Sequence, residues 1–372
     1  MIDPTHLPTL ERASNIRVER TPRNGYGYIC IKCDKYPFNI TDFRRAVSFA
    51  TDKYRICEEA WLGQAEPLDS CVPKINPLSI EGELPYSYYD AQVQLGNQLL
   101  DAAGFEDWDN DSTRAAPNGE EFDVLIEVAQ SSNIGISSGE IVAEALQALH
   151  IDATCEPTDF YDYLQRLYHH EDYDMVFLGT SLVDFDVDWL AYDYWSENAD
   201  EPYQNFPCWQ NATYDSWRDQ LLHSIGYSEV YEAARAMQEI WVHSSPVIVC
   251  YENVVLSAYR TNQFEGHVND VSAGVPSWWT NYRVHLKESA GGPFGGTFRW
   301  SNPLDIDSFN FMVTSSASTM NVLNELYDSL IITDPDGQDL LWLAEIYTAE
   351  THEDNPSVPL GRTRFTFNML DN

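Results

Sequence analysis

Four groups of residues in this chain have the types and spacing to do chemistry. Gly135-Ile-Ser137-Ser-Gly139 carries the G-x-S-x-G spacing that can present a serine nucleophile on a strand-to-helix turn beside an oxyanion hole. That geometry needs an abrupt turn, whereas QSSNIGISSG is a long polar run after the preceding apolar stretch. It reads as a loop with a helix N-cap, and hydrolysis by Ser137 stands as the enzymatic alternative. Asp107, Asp109 and Asp111 open like a calcium loop, but Ser112 replaces the turn glycine and Asn118 replaces the bidentate acid, so a solvated acidic turn is expected. Cys30 and Cys33 form the sole C-x-x-C, inside GYGYICIKC. On a strand their side chains face opposite ways, and no second cysteine pair lies nearby, so buried thiols are expected rather than zinc. His169-His170-Glu171 lacks the spacing that puts two histidines on one helix face. No metal and no cofactor is expected.

The fourth group lies in DMVFLGTSLVDFDVDWLAYDYW, where Asp184, Asp186 and Asp188 stand beside Trp189, Tyr192, Tyr194 and Trp195. Carboxylates just past the carboxyl end of a parallel strand sit where α/β proteins place a ligand crevice. They can pair with an ammonium group, and aromatic faces can cover apolar or cationic parts of a ligand. A solvated acidic loop with core aromatics is the other reading of the same residues.

The elements that must position these groups are legible as periodicities. Residues 25–33 read as a strand. Phe43, Ala46, Val47 and Ala50 share one face of a helix capped by Thr41 or Asp42, and a helix from Asp90 stops at Gly104. FDVLIEVA at 122–129 alternates as a strand, followed by an amphipathic helix through Ile141, Val142, Ala145, Leu146 and Leu149. The strand IDATCE, a helix through Phe160, Tyr163, Leu164 and Leu167, and the strand DMVFLG complete β-α-β-α-β, the pattern of a parallel sheet covered by helices. Helices near 213–224 and 229–243 lead to the strand PVIVCY at 246–251.

Composition removes whole classes of function. The 59 acidic residues outweigh 21 basic ones, for a net charge of −38 over 372 residues. No segregated basic patch offsets it, so a phosphate backbone is repelled and nucleic acid is not an expected partner. Lysine is confined to Lys32, Lys35, Lys53, Lys74 and Lys287, which fits a high-salt or acidic exterior. No apolar run reaches the length of a transmembrane helix, and the opening MIDPTHLPTLERASN does not read as a signal peptide. Asn39, Asn110 and Asn211 begin glycosylation sequons that matter only in an exported protein.

Seven stretches in order over residues 37–252 resemble the extracellular solute-binding proteins of ABC importers, family 5, the oligopeptide, dipeptide and nickel binders. They are PFNITDFRRAVSFATDKYRI, LGQAEPLDSCVP, YDAQVQLGNQLLDAAGFEDWDND, ALHIDATCEPTDFYDYLQRL, YDMVFLGTSLVDFDVDWL, NFPCWQNATYDSWRDQLL and AMQEIWVHSSPVIVCYE. Thr180 stands in place of the family's usual tryptophan, Val187 in place of a proline and Cys33 in place of a common asparagine. The resemblance implies non-covalent capture of a peptide-like solute between two lobes that close about hinge strands, here 25–33 and 246–259, and delivery to ABC permease subunits outside the cell or at its surface. It also implies that an aspartate, Asp184 or Asp186, pairs with a peptide's α-ammonium. Gly179, Thr180 and Ser181 would line the floor, and Trp189, Asn205 and Trp209 the walls.

After GGPFGG at 291–296, the stretches GGTFRWSNPLDIDSFNFM, LNELYDSLIITDPDGQDLLWLAEIY and RFTFNML resemble the family's N-terminal opening, placed after its closing block. The expected fold is therefore α/β, a periplasmic-binding-protein-like lobe (type II, family 5) with a parallel-rich mixed sheet, plus an incomplete second lobe. Residues 1–36 are expected to hold a lobe-one remnant and a hinge strand, 37–245 the substrate-binding lobe, and 246–290 the return strands. The Gly-rich linker at 291–296 would join these to the opening of a second copy's lobe one at 297–372. A truncated, non-binding remnant is a further alternative.

Overall fold

In the computed structural model, residues 2–182, 185–224, 226–302, 305–306, 308–314 and 317–370 are described. The chain divides into two units, Arg23–Val254 and Met1–Pro22 with Val255–Asn372.

In the 23–254 unit the alternating and apolar runs become one six-stranded sheet. Its strands are β1 (Ile16–Ile31), β2 (Ala65–Glu66), β3 (Asp123–Ala129), β4 (Asp152–Thr158), β5 (Met175–Ser181) and β6 (Val247–Arg260), in the order β2-β6-β1-β5-β3-β4. The first part of β1 and the last part of β6 belong to the other unit. β3 pairs in parallel with both β4 and β5, which is the β-α-β-α-β arrangement expected from the sequence. β1 then runs antiparallel to β5, with Gly25 opposite Ser181 and Ile31 opposite Met175, so the sheet is mixed. Tyr26–Ile31 of β1 and Val247–Tyr251 of β6 are buried, as strands covered on both faces require.

Close backbone approach explains two glycines. A Cβ on Gly27 would stand 2.3 Å from Cζ of the buried Tyr251 ring. One on Gly139 would stand 2.7 Å from the Cys155 thiol and 2.8 Å from Val128, so the helix Asn133–Ala148 lies against β3 and β4 at a distance only glycine permits. That helix overturns the loop expected at QSSNIGISSG. Ser132 accepts from the Gly135 amide as the N-cap, and the G-x-S-x-G segment is already helical. The helix Thr41–Ala50 begins at Thr41 with Ile40 at its N-cap, one residue earlier than a Thr41 or Asp42 cap would set it. Gly104 ends Val93–Ala103 in the left-handed region at φ +87, as its position predicted.

One buried ion pair anchors the 65–90 connection to this unit. The Lys53 ammonium donates to the Asp69 carboxylate at 2.6 Å and to the Leu68 carbonyl at 2.8 Å, while the other Asp69 oxygen accepts from the Tyr88 amide at 2.9 Å. Both side chains are almost fully buried. The pair therefore survives desolvation only because each charge finds further polar partners.

The other unit is built from two-stranded sheets. These are β7 (Phe264–Glu265) with β8 (His285–Leu286), β9 (Ile331–Thr333) with β10 (Asp339–Leu341), and β11 (Ala344–Glu350) with β12 (Arg364–Met369). Trp278, Trp279, Tyr282 and Trp342 cluster, with Tyr282 stacked on Trp278, and with Trp279 and Trp342 edge-on to Trp278, and the Trp279 indole donates to the Thr333 carbonyl at 2.9 Å. From the linker onward many large apolar side chains face solvent, among them Phe294 (89% exposed), Met312, Leu360, Ile346, Phe365 and Met369. Among the described residues, each strand of β9–β10 and β11–β12 pairs on one edge only.

Candidate functional site

A cavity of about 210 Å³ opens in the 23–254 unit where β5 ends. Four segments form it, one of them Val247 at the start of β6. Tyr26 and Tyr28 come from β1, two residues apart and so on one face, with ring centroids 5.5 Å apart. Thr180, Leu182, Trp189, Asp193 and Tyr194 come from the segment that leaves β5, and Tyr203–Pro207 form a strap along the rim.

Asp193 is fixed from behind. It ends the short helix Leu190–Asp193, whose free carbonyls are claimed one after another. The Tyr214 hydroxyl donates to Leu190 O at 2.6 Å, the Arg218 guanidinium to Ala191 O at 2.5 Å and the Asn198 amide to Tyr192 O at 2.8 Å. Arg218 also stacks over Trp195, 3.7 Å from the ring centroid. The Asp193 carboxylate is open to solvent but ringed by protein on the wall of the concavity. That crowding, with the negative charge of Asp188 adding to it, pushes its pKa up to about 6. Tyr26, Tyr28 and Tyr194 are buried phenols whose pKa values rise well above the ordinary value through desolvation, so all three are neutral donors. Among the described residues Asp193 is the one acid in the lining, which holds no lysine, arginine or histidine.

The strap keeps its shape by tight local bonding. Tyr203, Asn205 and Cys208 all have positive φ. The Asn205 amide donates to the carbonyls of Trp195 at 2.9 Å and Trp209 at 2.8 Å, and its oxygen accepts from the Trp209 amide at 3.1 Å. The Tyr173 hydroxyl donates to Phe206 O, and the Cys33 amide donates to Pro207 O at 2.8 Å. Asn205 thus borders the cavity while its own polar atoms are occupied by backbone.

Of the other sequence candidates, Thr180 and Trp189 line the cavity, and the buried Trp189 indole N–H has no hydrogen-bond partner among the described residues. Gly179 lies opposite Gly27 in the β1–β5 register and is outside the lining. Ser181 accepts from the Arg23 guanidinium at 2.9 Å, while Arg23 also holds Thr180 O at 2.6 Å. Asp186 turns back on its own loop, accepting from the Val187 and Asp188 amides at 2.6 and 3.1 Å. Trp209 is buried, 5.1 Å from the Tyr214 ring, and does not reach the cavity. Asp184 lies outside the described residues.

Sequence reasoning missed Asp193, Tyr26, Tyr28 and Tyr203. The Y-x-Y of β1 was a readable signal, since alternation puts both rings on one face. Asp193 was hidden inside a run of aromatics.

Two other places compete for attention. A larger hollow of about 730 Å³ lies in the other unit between β7–β8 and residues 293–300, and its walls include the linker itself. The carboxylates of Asp107, Asp109 and Asp111 come within 4.8 Å of one another, all exposed. They accept from the amides of Asp111, Ser112 and Thr113, as an acidic turn does.

The profile of the family described as bacterial extracellular solute-binding proteins, family 5 Middle, matches residues 1–202. Among solved structures, the oligopeptide-binding protein AppA of Bacillus subtilis, in complex with a nonapeptide, is similar at 16% identity and a TM-score of 0.65. The match covers 72% of this chain and 52% of that one. The periplasmic oligopeptide-binding protein of Thermotoga maritima, bound to mannohexaose, is 21% identical with a TM-score of 0.65, covering 76% and 57%. DppA of Helicobacter pylori, in complex with the peptide STSA, is 17% identical with a TM-score of 0.63, covering 77% and 52%. The chain thus spans little more than half the length of these proteins, and the likeness is one of fold. No curated protein matches this sequence.

Proposed function

The chain belongs to the bacterial extracellular solute-binding proteins of family 5, and from that membership we propose that it is the solute-capturing component of an ABC importer, holding a peptide-like solute without covalent chemistry. The family is one of binding proteins found outside the cytoplasm, and this chain is assigned the same setting, with permease subunits as its macromolecular partner. No described helix is long and apolar enough to cross a membrane.

The observation that carries the reading is the cavity at the end of β5, where Thr180, Trp189, Asp193 and the 203–207 strap converge. Neutral phenols are hydrogen-bonding groups for solute carbonyls, and the aromatic rings supply apolar contact. Thr180 and Trp189 act as direct walls, and Asn205 as the residue that holds the strap. Asp186 or Asp184 remains the proposed partner of a peptide α-ammonium, and Gly179, Ser181 and Trp209 serve as supports behind the contact surface. In this reading residues 37–245 are the substrate-binding lobe. Residues 297–372, with their exposed apolar side chains, are the opening of a lobe one whose packing partners are elsewhere.

Isothermal calorimetry with a mixed di- to hexapeptide pool, paired with mass spectrometry of small molecules that co-purify, tests the reading. Heat that saturates at one site per chain is expected. No heat and no co-purifying solute would refute it.

A further inference from the structure

We propose that the cavity at the end of β5 is a box for an organic cation, with the Asp193 carboxylate as counter-ion and the rings of Tyr26, Tyr28, Trp189, Tyr194 and Tyr203 as its walls. The inference rests on the solute-capture reading and specifies the chemistry of the group that enters.

Three observations converge on a cation. Among the described residues the lining holds one carboxylate and no lysine, arginine or histidine, so the site is negative inside a concavity. Four tyrosines and a tryptophan line it, and the quadrupole of an aromatic ring attracts a positive group to its face and repels an anion. Asp193 sits on a helical turn whose Leu190, Ala191 and Tyr192 carbonyls are bonded by Tyr214, Arg218 and Asn198, so the backbone that carries the carboxylate is held in place before any solute arrives.

Size narrows the class further. About 210 Å³ is below the range for a whole drug-sized ligand, ~300–1,000 Å³, and suits one side chain or a small alkylammonium. The group that enters is therefore an ammonium or guanidinium on an apolar stem, such as a lysine or arginine side chain. The stem packs on the rings while the head reaches the carboxylate. An ion pair made in this partly desolvated setting outweighs one at an open surface.

The test compares four probes by calorimetry on the full chain: Ala-Lys-Ala, Ala-norleucine-Ala, Ala-Glu-Ala and tetramethylammonium chloride. Each is measured against the wild type and Asp193→Asn, an isosteric change at a solvent-open side chain. Far-UV circular dichroism and the urea midpoint establish that the variant is folded. The lysine peptide is expected to bind at least about tenfold more tightly than the norleucine peptide, with the glutamate peptide weakest, and Asp193→Asn should collapse that difference. If norleucine binds as well as lysine, or the preference survives in Asp193→Asn, the cation box is overturned while peptide capture stands. If tetramethylammonium alone binds, dependent on Asp193, the box stands and peptide capture falls. If none of the four binds and the mixed peptide pool gives no heat, both readings fall.

Discussion

Replacing Asn205 with alanine should unfold the strap before it touches any solute. Asn205 is buried and makes three hydrogen bonds to backbone, donating to the Trp195 and Trp209 carbonyls and accepting from the Trp209 amide. Each such bond contributes about 1 kcal/mol net, and the carbonyls and amide left behind are partly shut off from water. The residue also has φ +36, a region that asparagine tolerates and alanine resists by about 1 kcal/mol. The sum is a loss of about 3–4 kcal/mol in unfolding free energy. Urea denaturation followed by tryptophan fluorescence reads it as a lower midpoint at unchanged slope. Asn205→Gly separates the two contributions, because glycine loses the same bonds but accepts the backbone angle. It should be more stable than Asn205→Ala by about 1 kcal/mol. A loss below about 1 kcal/mol in Asn205→Ala would show that the strap does not depend on this side chain, and the reasoning would fail.

Lys53→Met should cost about 3–5 kcal/mol by calorimetric or urea unfolding, because Asp69 is left buried and charged without its ammonium; a neutral outcome would mean water reaches the pair. Ser137→Ala, inside a helix, should leave stability within about 0.5 kcal/mol, and the wild type should not react with a fluorophosphonate probe. Labelling that Ser137→Ala abolishes would restore the hydrolase reading. The Asp193 carboxyl is raised in the fold from an ordinary 3.8 to about 6, so the folded protein holds this proton more tightly than the unfolded chain. The stability of the wild type relative to Asp193→Asn should therefore be level below about pH 4, fall as pH rises through 6, and stay at its lower value above; paired urea titrations across that range would detect the opposite trend.

Much of the sheet could be read in advance because its strands are short apolar or alternating runs bounded by turn residues. The parallel order of β5, β3 and β4 follows from the helices between them. The start of the helix Asn133–Ala148 could not be read, because five of its first seven residues are Asn, Gly or Ser, poor helix formers. Those residues are tolerated because Gly135 and Gly139 let the helix close on Phe177, Cys155 and Val128, a tertiary requirement invisible to propensity. At the candidate site the sequence singled out a segment that borders the cavity but not every wall. Thr180, Trp189 and Asn205 border the cavity, whereas the acid that enters it is Asp193, four residues past Trp189 at the end of a helical turn. Local sequence shows which carboxylates are near a strand end; only backbone direction decides which one faces inward.

The half-paired ribbons β9–β10 and β11–β12 have a colloidal consequence. Their open edges and apolar side chains would draw copies together, yet every copy carries a net charge of −38. At an ionic strength of about 0.01 M that charge is felt over a Debye length of about 30 Å and holds copies apart. At about 1 M the reach shrinks to roughly 3 Å, less than the ~4.8 Å between paired strands. Salt then removes the repulsion without weakening the apolar attraction, so the dispersion of this protein is governed by the ions around it as much as by its own surface.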